Sequence, residues 1–302
     1  MKILLLGKNG QVGRELQKSL PTHTELLALG REVINGYCGD LEKPESLLQT
    51  IDDFQPNVIF NAAAYTAVDK AEAERERALQ INSTSVKLMA EKCKAIGCLF
   101  VHFSTDYVFD GCGNKPYLED DLVNPINYYG YTKLLGEQAL EAIGCDYLIF
   151  RTSWVFSIHG QNFLKTILRL IQTQSSISVV HDQIGVPTSA TFLADIATSL
   201  ALRKLNGDEI PNGIYNLVPS GEVSWYDFAC WIADNHCLAP ELVKLRRKDI
   251  IPVTSDKYPS LTKRPLNSRL CTNKIRTYLA PGEIKTWDCY AYQTLVKLQN
   301  WR

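Results

Sequence analysis

The sequence lacks several features that would assign it to a broad functional class. It has no marked excess of either charge, with 32 Lys and Arg against 33 Asp and Glu, a net charge of −1 and a pI near 6.5. This balance argues against a general polyanion binder. It has no apolar run of about eighteen residues, and the apolar start Ile3–Leu6 ends at Gly7 without a cleavage-like site. We therefore expect a soluble, cytoplasmic protein that binds neither nucleic acid nor membrane.

The cysteines and histidines also lack the spacing of known sites. The nine cysteines form an odd set without a Cys-x-x-Cys pair, so neither a disulfide framework nor a zinc ribbon is indicated. We interpret them as reduced, mostly buried thiols. The five histidines show no ligand spacing and are interpreted as ordinary residues: His23, His102, His159, His181 and His236. No metal site is predicted.

What the chain does contain, over 302 residues, is an alternation of short apolar runs with longer helical patterns in its first half. This alternation predicts an α/β fold, with a Rossmann-type doubly wound parallel sheet and a smaller, mixed C-terminal substrate domain. We assign residues 1–155 to the dinucleotide-binding domain, with its last strands and helices contributed from about 176–217, and about 156–302 mainly to the interleaved substrate domain. The predicted strands are Lys2–Leu6, Glu25–Leu29, Asn57–Asn61, Leu99–Phe103 and Tyr147–Arg151; the predicted helices cover 11–20, 44–53, 74–95, 129–143, 162–174, 190–204 and 224–236.

A glycine-rich loop directly follows the first predicted strand and opens a helix. Its residues Gly7, Gly10, Gln11, Val12 and Gly13 form a G-x-x-G-x-x-G pattern, one residue longer in its first gap than the usual dinucleotide fingerprint. The glycines permit a tight turn and a close approach of backbone N–H groups to a pyrophosphate. We predict cofactor binding here, with a plain turn as the alternative.

The end of the second strand distinguishes the two nicotinamide cofactors. A carboxylate there would hold a ribose 2′-hydroxyl, but the chain has Leu29-Gly30-Arg31. The guanidinium predicts that NADPH is preferred or at least accepted beside NADH; an ordinary surface role for Arg31 is the alternative. Asp40 and Leu41, after the next extended stretch, could bracket the adenine. The small side chains of Ala62, Ala63 and Ala64, after the third strand, leave room for a cofactor to cross the strand ends.

A Tyr-x-x-x-Lys pair, Tyr129 and Lys133, is the candidate catalytic pair. Side chains four residues apart share one helix face. An ammonium about 5 Å away, at an effective dielectric near 20, would favour the phenolate by roughly 3 kcal/mol, or about two pKa units. This predicts a phenol that transfers a proton near neutral pH.

The end of the fourth strand supplies a third chemical group. Ser104, Thr105 and Asp106 lie at the carboxyl edge of the predicted sheet, where such folds bind ligands. Thr105 could hydrogen-bond a substrate carbonyl while Tyr129 protonates it. The glycine loop, the Ser-Thr-Asp segment and the Tyr-x-x-x-Lys pair together are far more specific than any one of them.

In these motifs the chain resembles the extended short-chain dehydrogenase/reductase superfamily and, within it, the dTDP-4-dehydrorhamnose reductase family. The closer resemblance extends over nearly the whole chain, in the segments 7–13, 61–72, 104–109, 151–155, 182–188 and 264–269. It implies reduction of the C4 ketone of dTDP-4-dehydro-β-L-rhamnose to dTDP-L-rhamnose by hydride from NAD(P)H, the last step of dTDP-rhamnose biosynthesis.

The resemblance also implies roles for individual residues. Tyr129 would be the proton donor, Lys133 would bind the nicotinamide ribose, and Thr105 would tune the donor and touch the sugar. The substrate contacts would be Thr105, Asp106, Trp154, Asn267 and Arg269, although Trp154 could be a core aromatic and the last two could make structural hydrogen bonds. The cofactor contacts would be Gly7, Gly10, Gln11, Val12, Gly13, Arg31, Asp40, Leu41, Ala62, Ala63, Ala64, Tyr65, Ser104, Tyr129 and Lys133.

The chain departs from this family at a metal site. Some members are dimers linked by a magnesium ion that glutamates hold; here Glu15 is present, but Thr191 occupies the second position. Loss of a carboxylate weakens a site for a hard cation. We therefore predict no metal and leave monomer and homodimer both open.

Two other functions share parts of this pattern. A sugar-nucleotide epimerase would keep the glycine loop and the Tyr-x-x-x-Lys pair but would recycle a tightly held NAD. A non-catalytic regulatory subunit of methionine adenosyltransferase also resembles these reductases. A 4,6-dehydratase is disfavoured because Tyr107 stands where such enzymes keep the Glu of a Thr-Asp-Glu segment.

Overall fold

The computed structural model describes residues 1–258 and 261–299; the part of the predicted substrate domain at 259–260 and 300–302 lies outside the described residues. Its strands are β1 (Lys2–Leu6), β2 (Glu25–Leu29), β3 (Val58–Asn61), β4 (Leu99–Thr105), β5 (Tyr147–Thr152), β6 (Val155–Phe156), β7 (Ile177–Val180), β8 (Ile184–Gly185), β9 (Thr188–Ser189), β10 (Gly213–Asn216), β11 (Val223–Ser224) and β12 (Ile250–Val253).

The helices alternate with these strands through the first half of the chain. They are α1 (Gln11–Ser19), α2 (Pro44–Phe54), α3 (Val68–Ala71), α4 (Arg75–Leu79), α5 (Ser85–Ile96), α6 (Tyr128–Ile143), α7 (Phe163–Thr173), α8 (Ala190–Leu205), α9 (Trp225–Asn235), α10 (Asn273–Arg276) and α11 (Trp287–Gln299).

Within the described residues, a six-stranded sheet forms the centre of the fold, in the order β10-β5-β4-β3-β1-β2. All neighbouring strands of this sheet are parallel. The order reverses direction at β1 and β3, and ligands of doubly wound sheets bind at such a point, beyond the carboxyl ends of the strands. The predicted α/β class with a doubly wound parallel sheet is therefore confirmed.

Each face of the sheet is covered by its own apolar core. The strands alternate strictly, so that on β4 Phe100 packs toward α5 and α6 while Leu99 and Val101 pack toward α8. Helix α8 also packs closely against α1. Near-continuous apolar strands such as Ile3–Leu6 result because both faces are buried.

One predicted helix differs from the structure. The prediction placed a single helix over 74–95, whereas the chain forms α4, a π-helical turn at Gln80–Thr84, and then α5. Asn82, inside the π-helical turn, receives a hydrogen bond from the amide of Tyr65 (2.9 Å) and donates to the Thr132 hydroxyl of α6 (3.0 Å). The widened turn thus places a polar side chain between two packed helices, as π-bulges often do.

The second half of the chain builds a separate apolar cluster around α7, α9 and α11, in which Ile167, Phe228 and Leu295 are buried. Short strand pairs, β7 with β12 and β8 with β11, flank this cluster. Among the described residues, none of the helices is both long enough and apolar enough to cross a membrane.

Candidate active site

Two adjoining clefts open beyond the carboxyl ends of the sheet strands. The first, which we call the strand-end cleft, has a volume of about 970 Å³ and lies over the ends of β1, β3, β4 and β5. The second, the outer cleft, has a volume of about 1570 Å³ and extends along α7, β7 and residues from the segments 255–258 and 261–266. Tyr107, Trp225 and Arg264 line both clefts, so a molecule in one would meet a molecule in the other at these residues.

The strand-end cleft gathers most of the residues that were predicted from the sequence. They come from the glycine loop, the ends of four strands and helix α6, which are widely separated in the chain. The predicted site residues that line it are Gly7, Gly10, Gln11, Val12, Arg31, Asp40, Leu41, Ala62, Ala63, Ala64, Ser104, Thr105, Asp106, Tyr129, Lys133 and Trp154.

The glycine loop forms an open helix N-terminus in the floor of this cleft. Gly10 is the N-cap of α1, and no side chain caps the first turn, so its N–H groups are free to bind an anion. Gly13 lies beneath the loop, where a Cβ would stand only 2.1 Å from the carbonyl oxygen of Gly7. Close packing of helix on strand therefore requires this glycine. These features, with the cleft's size, fit a dinucleotide whose pyrophosphate lies on the loop.

Helix α6 holds Tyr129 and Lys133 at the other wall. Its N-cap Asn127 accepts a hydrogen bond from the amide of Gly130 at 2.9 Å, and the carboxylate of Glu72 accepts from the amide of Tyr128 at 2.8 Å. A negative charge at this end also interacts favourably with the helix dipole. The candidate catalytic pair therefore lies in the first turns of a well-capped helix.

Gly130 allows the helix to approach the end of β4. A Cβ at this position would stand 2.1 Å from the carbonyl oxygen of Tyr107, so any larger residue would push α6 away from the turn at Asp106–Val108. The ring of Tyr107 packs edge-on against that of Tyr129, with centroids 5.6 Å apart. The tyrosine that replaces the dehydratase glutamate is thus part of the wall around Tyr129.

The predicted lowering of the Tyr129 pKa is wrong for the protein in this structure. Burial raises the pKa of Tyr129, while the neighbouring Thr105 hydroxyl lowers it and Asp106 raises it further. The Nζ of Lys133 donates to the carbonyl oxygen of Phe103 at 2.7 Å, and burial lowers the pKa of Lys133 to about 8. The expectation assumed an ammonium in an environment with the screening of a protein surface, but desolvation dominates here.

Thr105 and Asp106 form a buried polar pair next to Tyr129. The Thr105 hydroxyl donates to Oδ1 of Asp106 at 3.0 Å and accepts from the amide of Tyr107 at 3.2 Å. Burial raises the pKa of Asp106 to about 6, although hydrogen bonds from Ser268 and Thr105 lower it in part. Near neutral pH this carboxyl group is close to its own pKa, and it lines the strand-end cleft.

Trp154 forms part of an aromatic wall. Its ring stacks on that of Trp225 at 3.6 Å between centroids, with the planes 12° apart. Its backbone has a φ of 49°, which is uncommon for a large residue. The stack holds Trp154 over the cleft, and both rings line it.

Four predicted site residues do not line either cleft. Besides Gly13, which supports the loop from below, these are Tyr65, Asn267 and Arg269. Asn267 is buried and donates to the carbonyl oxygen of Lys115 at 2.8 Å, and Arg269 pairs with Glu222 at 2.8 Å. The structural hydrogen bonds that were the alternative for these two residues are thus present, while their contact with a substrate stays a prediction.

The structure adds residues to the site that were not predicted. Tyr107, Trp225 and Arg264 line both clefts, and Glu32 lines the strand-end cleft next to Arg31. Arg264 also pairs with Asp69 at 2.9 Å. Arg264 lies in the segment 264–269, which the family resemblance includes, so the sequence could have identified it. Trp225 begins α9, for which the sequence showed only the apolar pattern of a helix.

Glu15 and Thr191, the two positions at which the sequence was compared with a magnesium site, are hydrogen-bonded to each other. Oε1 of Glu15 lies 2.9 Å from Nζ of Lys18, and its Oε2 accepts from the Thr191 hydroxyl at 3.2 Å. No cluster of three or more His, Cys, Asp or Glu that could hold a metal ion occurs in the part of the chain that the structure describes.

Comparison with known proteins gives a consistent result over the whole chain. The model of the RmlD substrate binding domain family matches residues 1–299. The dTDP-4-dehydrorhamnose reductase of Escherichia coli K12 is 44% identical over 280 residues, which cover 93% of this chain and 92% of that protein. The enzyme of the same name from Salmonella typhimurium is 44% identical over 276 residues, covering 91% of each chain.

Solved structures agree with these sequence relatives. A dTDP-4-dehydrorhamnose reductase from Clostridium acetobutylicum superposes with a TM-score of 0.87 at 34% identity, over 99% of this chain and 100% of that one. One from Bacillus anthracis, solved in complex with NADP, gives a TM-score of 0.85 at 30% identity over 98% and 99% of the two chains. The chain therefore belongs to the RmlD substrate binding domain family, together with these dTDP-4-dehydrorhamnose reductases.

Proposed function

We propose that the protein reduces the C4 ketone of dTDP-4-dehydro-β-L-rhamnose to dTDP-L-rhamnose, the last step of dTDP-rhamnose biosynthesis, as an NAD(P)H-dependent oxidoreductase. The observation that carries this proposal is the convergence of Tyr129, Lys133 and Thr105 in the strand-end cleft, whose glycine loop fits a dinucleotide. The adjoining outer cleft is large enough for a sugar nucleotide. The identity of 44% with a reductase of this name supports the choice of substrate.

When bound, NAD(P)H supplies the hydride that the ketone carbon accepts. As the carbon gains this electron pair, the carbonyl π electrons move to oxygen, and the Tyr129 hydroxyl delivers the proton that the oxygen takes. Thr105 hydrogen-bonds the same oxygen and orients it. Lys133 contacts the nicotinamide ribose and, as an ammonium, stabilises the phenolate left on Tyr129, which solvent reprotonates before the next turnover.

The other residues of the strand-end cleft bind either the cofactor or the sugar nucleotide. The glycine loop binds the pyrophosphate, Asp40 and Leu41 bracket the adenine, and Ala62, Ala63, Ala64 and Ser104 form the surface that the cofactor crosses. Asp106 and Trp154 face the sugar nucleotide, and we add Trp225 and Arg264 to this set because they line both clefts. We propose residues 1–155 with parts of 176–217 as the dinucleotide-binding domain, supported by the position of β10 in the sheet.

Cofactor choice is proposed to favour NADPH while NADH is accepted. Arg31 lines the cleft where a 2′-phosphate would lie, and a relative binds NADP. Replacing Arg31 by Ser should raise KM for NADPH by about tenfold and leave KM for NADH nearly unchanged, because only the 2′-phosphate loses a charged hydrogen bond. Equal changes for the two cofactors would contradict the assignment; Glu32 would then be the residue to test for a ribose contact.

The central test follows NADPH and NADH oxidation with dTDP-4-dehydrorhamnose made in situ and identifies the sugar product. Replacing Tyr129 by Phe should lower turnover a hundredfold or more while cofactor still binds, because only the proton donor is lost. Tyr131→Phe is the matched control, since this exposed tyrosine lies two residues away on the same helix. Unchanged turnover in Tyr129→Phe would refute the assignment of the donor.

The same assay separates the alternatives. An epimerase would purify with bound cofactor and consume no NADPH, and a regulatory subunit would bind cofactor without turnover. We further propose a cytoplasmic enzyme that is a monomer or a homodimer, which sedimentation of the purified protein would decide.

A further inference from the structure

A fully buried histidine lies behind the catalytic lysine. His102 is on β4, opposite Asn61 of β3 in the sheet register, and its side chain has no exposed surface. Its strand neighbour on the same face is Phe100, whose ring lies 6.0 Å away. An imidazole in such apolar surroundings is costly unless its nitrogens are hydrogen-bonded. Burial lowers the pKa of His102, so the ring is neutral and carries a single proton.

The orientation of Asn61 determines where this proton lies. Oδ1 of Asn61 accepts a hydrogen bond from the amide of Ala63 at 3.2 Å, which fixes the amide group. Its Nδ2 therefore faces Nδ1 of His102, at 3.1 Å, and donates to it. A ring nitrogen that accepts has no hydrogen, so the proton of the neutral ring is on Nε2.

Nε2 of His102 lies 3.0 Å from Nζ of Lys133. An N–H at this position can only donate, and an ammonium has no lone pair to accept it. The amine of a neutral lysine has a lone pair that can accept this N–H. The same amine can still donate a hydrogen bond to the carbonyl oxygen of Phe103 at 2.7 Å. The hydrogen-bond chain from Ala63 through Asn61 and His102 to Lys133 is satisfied only when Lys133 is uncharged.

The other groups around Lys133 do not reverse this preference. Glu137, one turn further along α6, favours the ammonium, but its carboxylate is held by Arg151 of β5 at 2.7 Å. Tyr129 lies one turn before Lys133 on the same helix and is partly buried, and desolvation raises its own pKa. Desolvation acts in the same direction as His102, since burial lowers the pKa of Lys133 to about 8.

We propose that Asn61 and His102 are positioning residues that hold Lys133 as a neutral amine in the cofactor-free protein, and that Lys133 takes up a proton from solvent when ribose hydroxyls replace His102 as its partner. This inference rests on the proposed function only for the contact between Lys133 and the ribose. It makes cofactor binding the event that charges the lysine, so that the ammonium is present when Tyr129 gives up its proton.

The tautomer of His102 is measured directly by ¹⁵N NMR of protein labelled at histidine, without cofactor, at pH 9. The signal of His102 is recognised by its through-space contact to the ring of Phe100. We expect a protonated Nε2 and an unprotonated Nδ1. A protonated Nδ1 would overturn the inference, whatever the enzyme's activity.

Proton uptake is measured by calorimetric titration with NADP⁺ at pH 8.5, in buffers of different ionisation enthalpy. Loss of one hydrogen bond to the neutral amine raises the lysine pKa by about one unit, so His102→Phe should lower the proton uptake about threefold. His102→Gln, which keeps an N–H donor, should restore it, and the exposed His181→Gln should not change it.

Equal proton uptake in the wild-type protein and His102→Phe would overturn the inference. A merely structural role for His102 would lower the melting temperature of His102→Phe without changing its proton uptake. Neither the NMR nor the binding experiment requires sugar turnover. If the reductase assay fails but His102 is protonated on Nε2, only the proposed substrate is refuted. If the enzyme turns over but His102 is protonated on Nδ1, only this inference is refuted.

Discussion

The ion pair between Glu137 of α6 and Arg151 of β5 provides a sharp test of how this fold is held together behind the active site. Three pairs of atoms connect the side chains: Nε to Oε1 at 3.0 Å, Nε to Oε2 at 3.3 Å and Nη2 to Oε2 at 2.7 Å. The side chains are only 1% and 3% exposed. Arg151 also donates to the carbonyl oxygen of Glu119 at 2.8 Å. The pair is therefore desolvated, bidentate and almost fully hydrogen-bonded.

Replacing Glu137 by Gln should lower the free energy of unfolding by about 3–5 kcal/mol, because a buried guanidinium loses its counter-charge. Against a total stability of about 5–15 kcal/mol this is a large fraction. The melting temperature should fall by roughly 6–20 °C, at about 2–4 °C per kcal/mol for a chain of this size class. Urea unfolding followed by circular dichroism measures the change.

The control is the pair Arg203 and Asp208, which has the same separation of 2.7 Å but side chains 42% and 45% exposed. Breaking it with Asp208→Asn should cost no more than about 1 kcal/mol, because water screens exposed pairs. Replacing both Glu137 and Arg151 by Met should cost less than the Glu137→Gln change alone, since no charge remains buried. Similar costs for the buried and exposed pairs, or additive losses in the double variant, would refute the reasoning.

Two further predictions concern the wall around Tyr129. Burial raises the pKa of Asp106 to about 6, so its protonated form favours the folded state, and stability is lost as the pH rises from about 4 to 6. Asp106→Asn should remove a decline of about 3 kcal/mol over this range, measured by urea unfolding at each pH, and an unchanged pH dependence would contradict the assignment. Gly130→Ala should lower turnover at least tenfold, because its Cβ would stand 2.1 Å from the Tyr107 carbonyl oxygen. Alanine otherwise favours a helix by about 1 kcal/mol, so a stabilised and fully active variant would disprove the close approach.

Much of the fold could be predicted because the local signals agree with the tertiary structure. The bounds of β1 and β2 match the predicted strands, since each is a short apolar run that ends at a glycine. The π-helical turn at Gln80–Thr84 could not be predicted from apolar spacing. It depends on the contacts of Asn82 with Tyr65 and α6, which are set only when the helices pack.

Site residues could be predicted from the sequence where the residue type, its spacing and its place in the fold together indicate one chemical role. Tyr129, Lys133 and Thr105 carry their chemistry in their spacing and their strand position, and the structure brings all three to one cleft. The prediction was less successful where burial determines the pKa or the role of a side chain. The sequence gives no measure of desolvation, so it predicted the wrong direction for the Tyr129 pKa and left His102 as an ordinary histidine.

Residues with several possible partners were the hardest to place. Asn267 and Arg269 carry groups that suit a nucleotide sugar equally well, but in the fold these groups bind Lys115 and Glu222. Trp225 is the opposite case, a residue of the clefts that the sequence suggests is a core residue. It lies at the start of an amphipathic helix, but its ring lines both clefts.

The wall shared by the two clefts has a thermodynamic consequence. Tyr107, Trp225 and Arg264 can each adopt only one arrangement at a time, yet each faces both binding spaces. Occupancy of one cleft that fixes these side chains changes the affinity of the other. Because linkage is reciprocal, the factor by which one ligand alters the affinity for its neighbour must equal the factor in the opposite direction.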